Sequence, residues 1–212
     1  MRAAVEAVVD RLRACRIVPV ATLDKPATAA EVAAALLAGG ISCIEIAFRR
    51  PGAAEAVRAA RAVGDILVGA GTVLSPEQAD AADEAGADFA VAPGTNETVV
   101  QRCRDLGLPF FPGVATPTEI ERARGLELRV LKVFPAAQIG GPSFLRAVSA
   151  TYPDVGFLPT GGVTSDNVGD YLAIPSVVAC GGSWLVAPEL VRERRFGEIA
   201  DLASAALAGV AA

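Results

Sequence analysis

The sequence predicts an α/β fold, a (β/α)8 TIM barrel with an extra N-terminal helix, as a single domain over residues 1–212. Three observations carry that reading. Short β-rich runs alternate with alanine-rich helical runs along the whole chain. Glycines stand where helices should give way to strands, and eight strand–helix units fit a length that suits one substantial core. A doubly wound open sheet is the rival. It usually brings a Gly-rich nucleotide loop after the first strand, and "VATLDKP" is not one.

The elements follow in order. "MRAAVEAVVDRLRAC" places Val5, Val8, Val9 and Leu12 at helical spacing with acidic residues between, a helix rather than a signal peptide. Strand candidates are 16–21, 42–48, 66–71, 88–93, 109–113, 128–134, 156–161 and 177–182. Helices are expected over 28–38, 53–62, 76–85, 96–105, 117–124, 142–150, 166–171 and 188–208. Gly39, Gly40, Gly86, Gly107 and Gly125 are placed to end helices in the left-handed conformation. The tail "LASAALAGVAA" reads as the fraying end of the last helix, and Trp184 and Phe196 as exposed apolar residues that serve an interface or pack helices.

Composition bounds the function. A net charge of −5 argues against nucleic acid or an anionic membrane as partner, so any phosphate site must be local. No apolar stretch reads as a membrane span, and the expected location is cytoplasmic. The chain has no histidine, which excludes a Ser–His triad or a His-ligated zinc site; carboxylate-bound Mg²⁺ stays open on composition, though no dense acidic cluster points to it. Cys15, Cys43, Cys103 and Cys180 share no paired-ligand spacing and read as small buried hydrophobes.

In such barrels the chemistry sits at the C-terminal ends of the strands. Alternation puts Cys43, Glu45 and Ala47 on one face of their strand and Ile44, Ile46 and Phe48 on the other. The large apolar face must meet helices, so Glu45 points inward. Val130, Lys132 and Phe134 likewise share a face, and Lys132 can point inward. Thr160 joins this set, with Arg49 just past the second strand and Thr72 just past the third.

Only two of the 19 basic residues, Lys25 and Lys132, are lysines. A buried Lys132–Glu45 salt bridge is the bland reading, but arginine would serve there and this chain nearly always chooses arginine. Lysine differs in offering a primary amine that can lose its proton when desolvated, more so beside a cation such as Arg49, and form a Schiff base with a ketone. Lys25, in "LDKPA", reads as a solvated surface residue. The glycine pairs Gly161–Gly162 and Gly181–Gly182, the second followed by Ser183, fall after strands seven and eight. Backbone N–H groups often bind phosphate there.

"EIAFR" (45–49), "GAGTV" (69–73), "APG" (92–94), "FPG" (111–113), "LKVFPA" (131–136), "PTGGV" (159–163) and "GGSWL" (181–185) appear in that order. Together they closely resemble the class I 2-keto-3-deoxy-6-phosphogluconate aldolases, which often also act on 4-hydroxy-2-oxoglutarate. The resemblance runs from about residue 16 to 187; "AAQIGG" after the lysine departs from the more polar form expected.

The resemblance implies that Lys132 forms the Schiff base and Glu45 shuttles protons. It implies that Arg49 and Thr72 hold the pyruvyl carboxylate, that Pro93 shapes the pocket and that Thr160 influences which aldehyde face is accepted. Gly161, Gly162, Gly182 and Ser183 are then the phosphate ligands. The implied partners are a 2-keto-3-deoxy sugar acid phosphate and pyruvate, with no metal or other cofactor, in a homotrimer. The sibling 6-phosphogalactonate aldolases, another phosphate-binding barrel enzyme such as an isomerase or decarboxylase, and a non-catalytic assembly module remain the alternatives.

Overall fold

The computed structural model describes residues 2–210. Helix α1 (Arg2–Cys15) precedes strand β1 (Ile17–Ala21) and helix α2 (Thr28–Ala38). There follow β2 (Cys43–Ala47), α3 (Ala53–Arg61), β3 (Leu67–Gly71), α4 (Pro76–Glu84), β4 (Phe89–Val91) and α5 (Glu97–Leu106). Then come β5 (Phe110–Phe111), β6 (Gly113–Val114), α6 (Pro117–Gly125), β7 (Val130–Val133), α7 (Gly141–Thr151), β8 (Gly156–Pro159) and α8 (Val168–Leu172). The chain ends with β9 (Cys180–Gly182), a 3₁₀ turn (Trp184–Val186), α9 (Pro188–Arg192) and α10 (Phe196–Val210). No helix among the described residues is long and apolar enough to cross a membrane.

This is an α/β fold built on a curled parallel sheet. Strands run in the order β5-β4-β3-β2-β1-β9, with β6-β7-β8 forming a second ladder. Paired Cα partners of parallel strands send their side chains to the same face, so the register defines the concave surface. Glu45 pairs with Val20 and Gly69, Phe89 with Gly69, Phe111 with Val91, and Lys132 with Gly113 and Leu158. The opposite face of β2 carries Ile44 and Ile46, both fully buried under the helices. Phe89 and Phe111 fill the concave floor with ring centroids 5.9 Å apart, the Phe89 ring taking the space a Gly69 side chain would need.

The caps follow local chemistry. Ser75, Asn96 and Thr116 accept bonds from the first-turn amides of α4, α5 and α6, and Thr116 completes a capping box with Glu119.

Four expectations are corrected. The expected strand over 109–113 is two short pieces, because Pro112 between them has no N–H to donate to a ladder. Its carbonyl instead accepts the Lys132 amide at 2.8 Å. The expected helix over 188–208 is broken into α9 and α10 at residues 193–195, where Arg194 has φ 56°. Gly39 caps α2 at φ −83°, leaving the left-handed conformation to Gly40 at φ 90°, and Gly125 stays helical in α6, where the left-handed residue is Glu127. Trp184 and Phe196 are half-buried against the core; the large apolar residues exposed among those described are Leu74 and Leu202. Ala211 and Ala212, the end of the tail expected to fray, lie outside the described residues.

All four cysteines are free and buried. Burial pushes the Cys103 and Cys180 thiols up to about 12, so these two behave as hydrophobes. Cys15 and Cys43 have polar partners as well: the Cys15 sulfur lies 3.3 Å from the Ser42 hydroxyl, and the Cys43 thiol donates to Ile17 O at 3.2 Å.

Truncating Phe89, 1% exposed, leaves a cavity in the concave floor. Phe89→Ala should lower unfolding free energy by about 3–5 kcal/mol in a chemical-denaturation measurement. A loss under 1 kcal/mol would show that the floor does not depend on this ring.

Candidate active site

Two ionisable side chains share the concave face. Lys132 Nζ, from β7, donates to Glu45 Oε1 at 3.0 Å and Oε2 at 3.3 Å, from β2 across the sheet. The residues are 5% and 4% exposed. Desolvation offsets much of the Coulomb gain of such a pair, while leaving either partner alone costs about 3–5 kcal/mol. The pair is therefore a poor stabilising device but a well-held one, and it keeps an amine and a carboxylate within proton-transfer distance.

The other sequence-predicted residues lie at the same, C-terminal end of the strands. Arg49 follows β2 and Thr72 follows β3, and Arg49 Nε donates to Thr72 Oγ1 at 3.1 Å. Arg49 is exposed, so its guanidinium is open to a carboxylate from solvent. Thr72 has φ 59°, a costly backbone for a β-branched residue, and strain of this kind gathers at functional sites. Pro93 follows β4 and is half-buried; its carbonyl fills the space where a Gly113 side chain would stand. Thr160 follows β8, is 9% exposed, and packs into the volume left by Gly181.

The two glycine turns are neighbours, because Thr160 bridges to Gly181. Gly161 and Gly162 have φ 95° and 75°, a consecutive left-handed pair suited only to glycine. The turn after β7 docks on them: Ala136 N donates to Thr160 O at 2.9 Å and Ala137 N to Gly161 O at 3.0 Å. Asn167 Nδ2 donates to Gly162 O at 3.0 Å. Gly182 is buried beneath the Trp184 ring, and Ser183 is exposed beside it. The glycines thus have steric reasons of their own in the fold, which leaves phosphate binding to be argued on chemistry. Lys25 is exposed on the loop after β1.

Sequence reasoning missed Gln78. Its Oε1 accepts Leu74 N at 2.7 Å and its Nε2 donates to Phe48 O at 3.4 Å, so it ties the loop carrying Arg49 to the loop carrying Thr72. The signal was present as the cap pattern "SPEQ", Ser75 to Gln78. A cavity of about 850 Å³ lies elsewhere in the fold. It opens at the opposite end of the strands beneath α1, among Val9, Phe110, Phe111, Leu128 and Val130, away from the paired amine and carboxylate.

A family model described as "Aldolase: KDPG and KHG aldolase" matches residues 8–202. The chain belongs to the KDPG and KHG aldolase family. It is 44% identical over 199 residues to a 2-dehydro-3-deoxy-phosphogluconate aldolase of Treponema pallidum, covering 93% of this chain and 95% of that one. It is 39% identical over 194 residues to the KHG/KDPG aldolase of Escherichia coli K12, covering 91% of each. Among solved structures, the KDPG aldolase of Legionella pneumophila, with pyruvate captured at low pH as a covalent carbinolamine intermediate, superposes with a TM-score of 0.89. That match has 36% identity and covers 93% of this chain and 97% of that one.

The Gln78 bridge fixes the spacing of the two loops that carry Arg49 and Thr72. Gln78→Leu should raise KM for the keto acid by about fivefold and leave kcat within about twofold, read by steady-state kinetics. Unchanged KM would mean the two loops hold their places without it.

Proposed function

We propose that this chain is a class I aldolase that cleaves 2-keto-3-deoxy-6-phosphogluconate to pyruvate and glyceraldehyde 3-phosphate, and 4-hydroxy-2-oxoglutarate to pyruvate and glyoxylate. The single observation that carries the proposal is the buried Lys132–Glu45 pair, 3.0 Å apart, on a chain of this family.

The resting ammonium must give up a proton before it can attack, and Glu45 is the group within reach to take it. The Lys132 amine adds to the C2 ketone, and Glu45 returns the proton as the carbinolamine loses water. The iminium then draws electrons from the C3–C4 bond while Glu45, directly or through water, takes the C4 hydroxyl proton. The aldehyde leaves, the enamine is protonated at C3, and water hydrolyses the iminium to pyruvate and free Lys132. Every step uses protons and water alone.

In this reading Arg49 and Thr72 hold the pyruvyl carboxylate, supported by their mutual bond at the strand ends. Thr160 faces the aldehyde end, and Pro93 bounds the pocket. Gly161, Gly162, Gly182 and Ser183 bind the phosphate through backbone amides and one hydroxyl, supported by the two adjoining turns and by the acidic net charge of the chain.

The finer architecture belongs to the same proposal: one (β/α)8 barrel over residues 1–212. The continuity of 110–114 between the two ladders supports closure on one side. The bridges Phe157–Val177 and Thr160–Gly181 support it on the other. A cytoplasmic location follows from the substrate, since a phosphorylated sugar acid does not cross membranes unaided. The homotrimer rests on the motif resemblance.

Lys132→Arg keeps a buried cation but cannot form an imine, so it should fold and lose cleavage altogether in a coupled assay of pyruvate release. Substantial turnover would remove the Schiff base. Glu45→Gln should lower kcat about 100-fold or more by removing the proton acceptor. Wild-type turnover in that variant would assign proton transfer to another group.

A further inference from the structure

Gly71 closes β3 in regular strand backbone, paired with Ala47, so conformational freedom does not explain a glycine there. Space does. A Cβ on residue 71 would fall on Glu45 Oε1, 2.7 Å from its Cγ and 2.8 Å from its Cδ. The carboxylate and its last methylene occupy the volume that any other residue at 71 would claim. Two residues earlier on the same strand and face, Gly69 is also without a side chain, but there the intruder is the Phe89 ring. The two glycines of β3 therefore serve different partners: one makes room for the floor of the pocket, the other for the carboxylate.

We infer that Gly71 is a positioning residue for Glu45: the missing Cβ opens the slot from which both carboxylate oxygens reach Lys132 Nζ. Glu45 has few other places to go. It is 4% exposed, and its Cα partners on the flanking strands are Val20 and Gly69, whose side the Phe89 ring already fills. A methyl group at 71 would drive the carboxylate out of line with the amine. This inference rests on the reading of Glu45 as the proton-transferring group.

The test compares Gly71→Ala with Gly69→Ala for cleavage kinetics across pH and for melting temperature. Gly71→Ala should lower kcat about 10–100-fold, the penalty of misplacing a catalytic group by an ångström or less, with KM within about twofold and a displaced pH profile. Gly69→Ala should lower the melting temperature and keep the wild-type pH profile. The contact itself is isolated in a chain carrying Glu45→Ala with Lys132→Met, which holds no buried pair. There, adding Gly71→Ala should leave the melting temperature unchanged, although the same change lowers it in the native sequence. If Gly71→Ala alone does not fold, folding of Gly71→Ala in the pair-free chain supports the inference, and failure there overturns it. A kcat and pH profile equal to wild type in Gly71→Ala also overturns it. Glu45→Gln separates the two levels: a slow Glu45→Gln beside a normal Gly71→Ala removes only the role of Gly71, whereas a normal Glu45→Gln removes the reading beneath it.

Discussion

The ion pair between Lys132 and Glu45 is the constraint on which the rest of the structure turns. Its partners stand 87 residues apart in the chain and meet only because β2 and β7 face each other across a curled sheet. Nothing about such a pair recommends it for stability. Two charges taken from water recover little by meeting, and an apolar pair of the same volume would commonly do as well or better. What the pair provides is a proton acceptor held against an amine, in a place from which bulk water is excluded. The surroundings fit that purpose. Aromatic rings fill the floor beneath it, and small residues stand around its upper rim.

Much of this was legible in the sequence because the controlling signals are local. Alternation along 42–48 sent Glu45 to the face opposite Ile44 and Ile46, and the register agrees. The scarcity of lysine drew attention to Lys132 before any contact was known. The helix ends at Ala38, Glu84 and Leu106 fell within a residue of expectation, since glycine or cap chemistry marks them. What could not be read was what depends on contacts between distant segments. Pro112 interrupts a strand by lacking an N–H, but that its carbonyl would pair with the Lys132 amide, 20 residues on, no local pattern shows. Arg194 breaks an otherwise continuous helical pattern with no glycine or proline to announce it. Gln78 carried a cap signature but spends its amide on two loops, and no spacing rule brings Phe48 to it.

The charge balance of the protein and its choice of ligands are consistent with each other. A chain of net charge −5 does not attract phosphates over its whole surface. Two glycine turns side by side offer a neutral, local alternative in which backbone amides provide the donors. In the proposed site the carboxylate end of the substrate instead meets a guanidinium, that of Arg49, which is bonded to Thr72. The proposed site is thus divided: a cation for the keto acid, backbone for the phosphate, and the amine between them.

The central claim is that the Lys132 amine bonds covalently to the substrate ketone. Incubating the native protein with pyruvate and borohydride, then mapping peptide masses, reads that bond directly. The account predicts a reduced pyruvyl adduct on the peptide containing Lys132 and none on the peptide containing Lys25. An unmodified Lys132 under conditions where the enzyme turns over would contradict it.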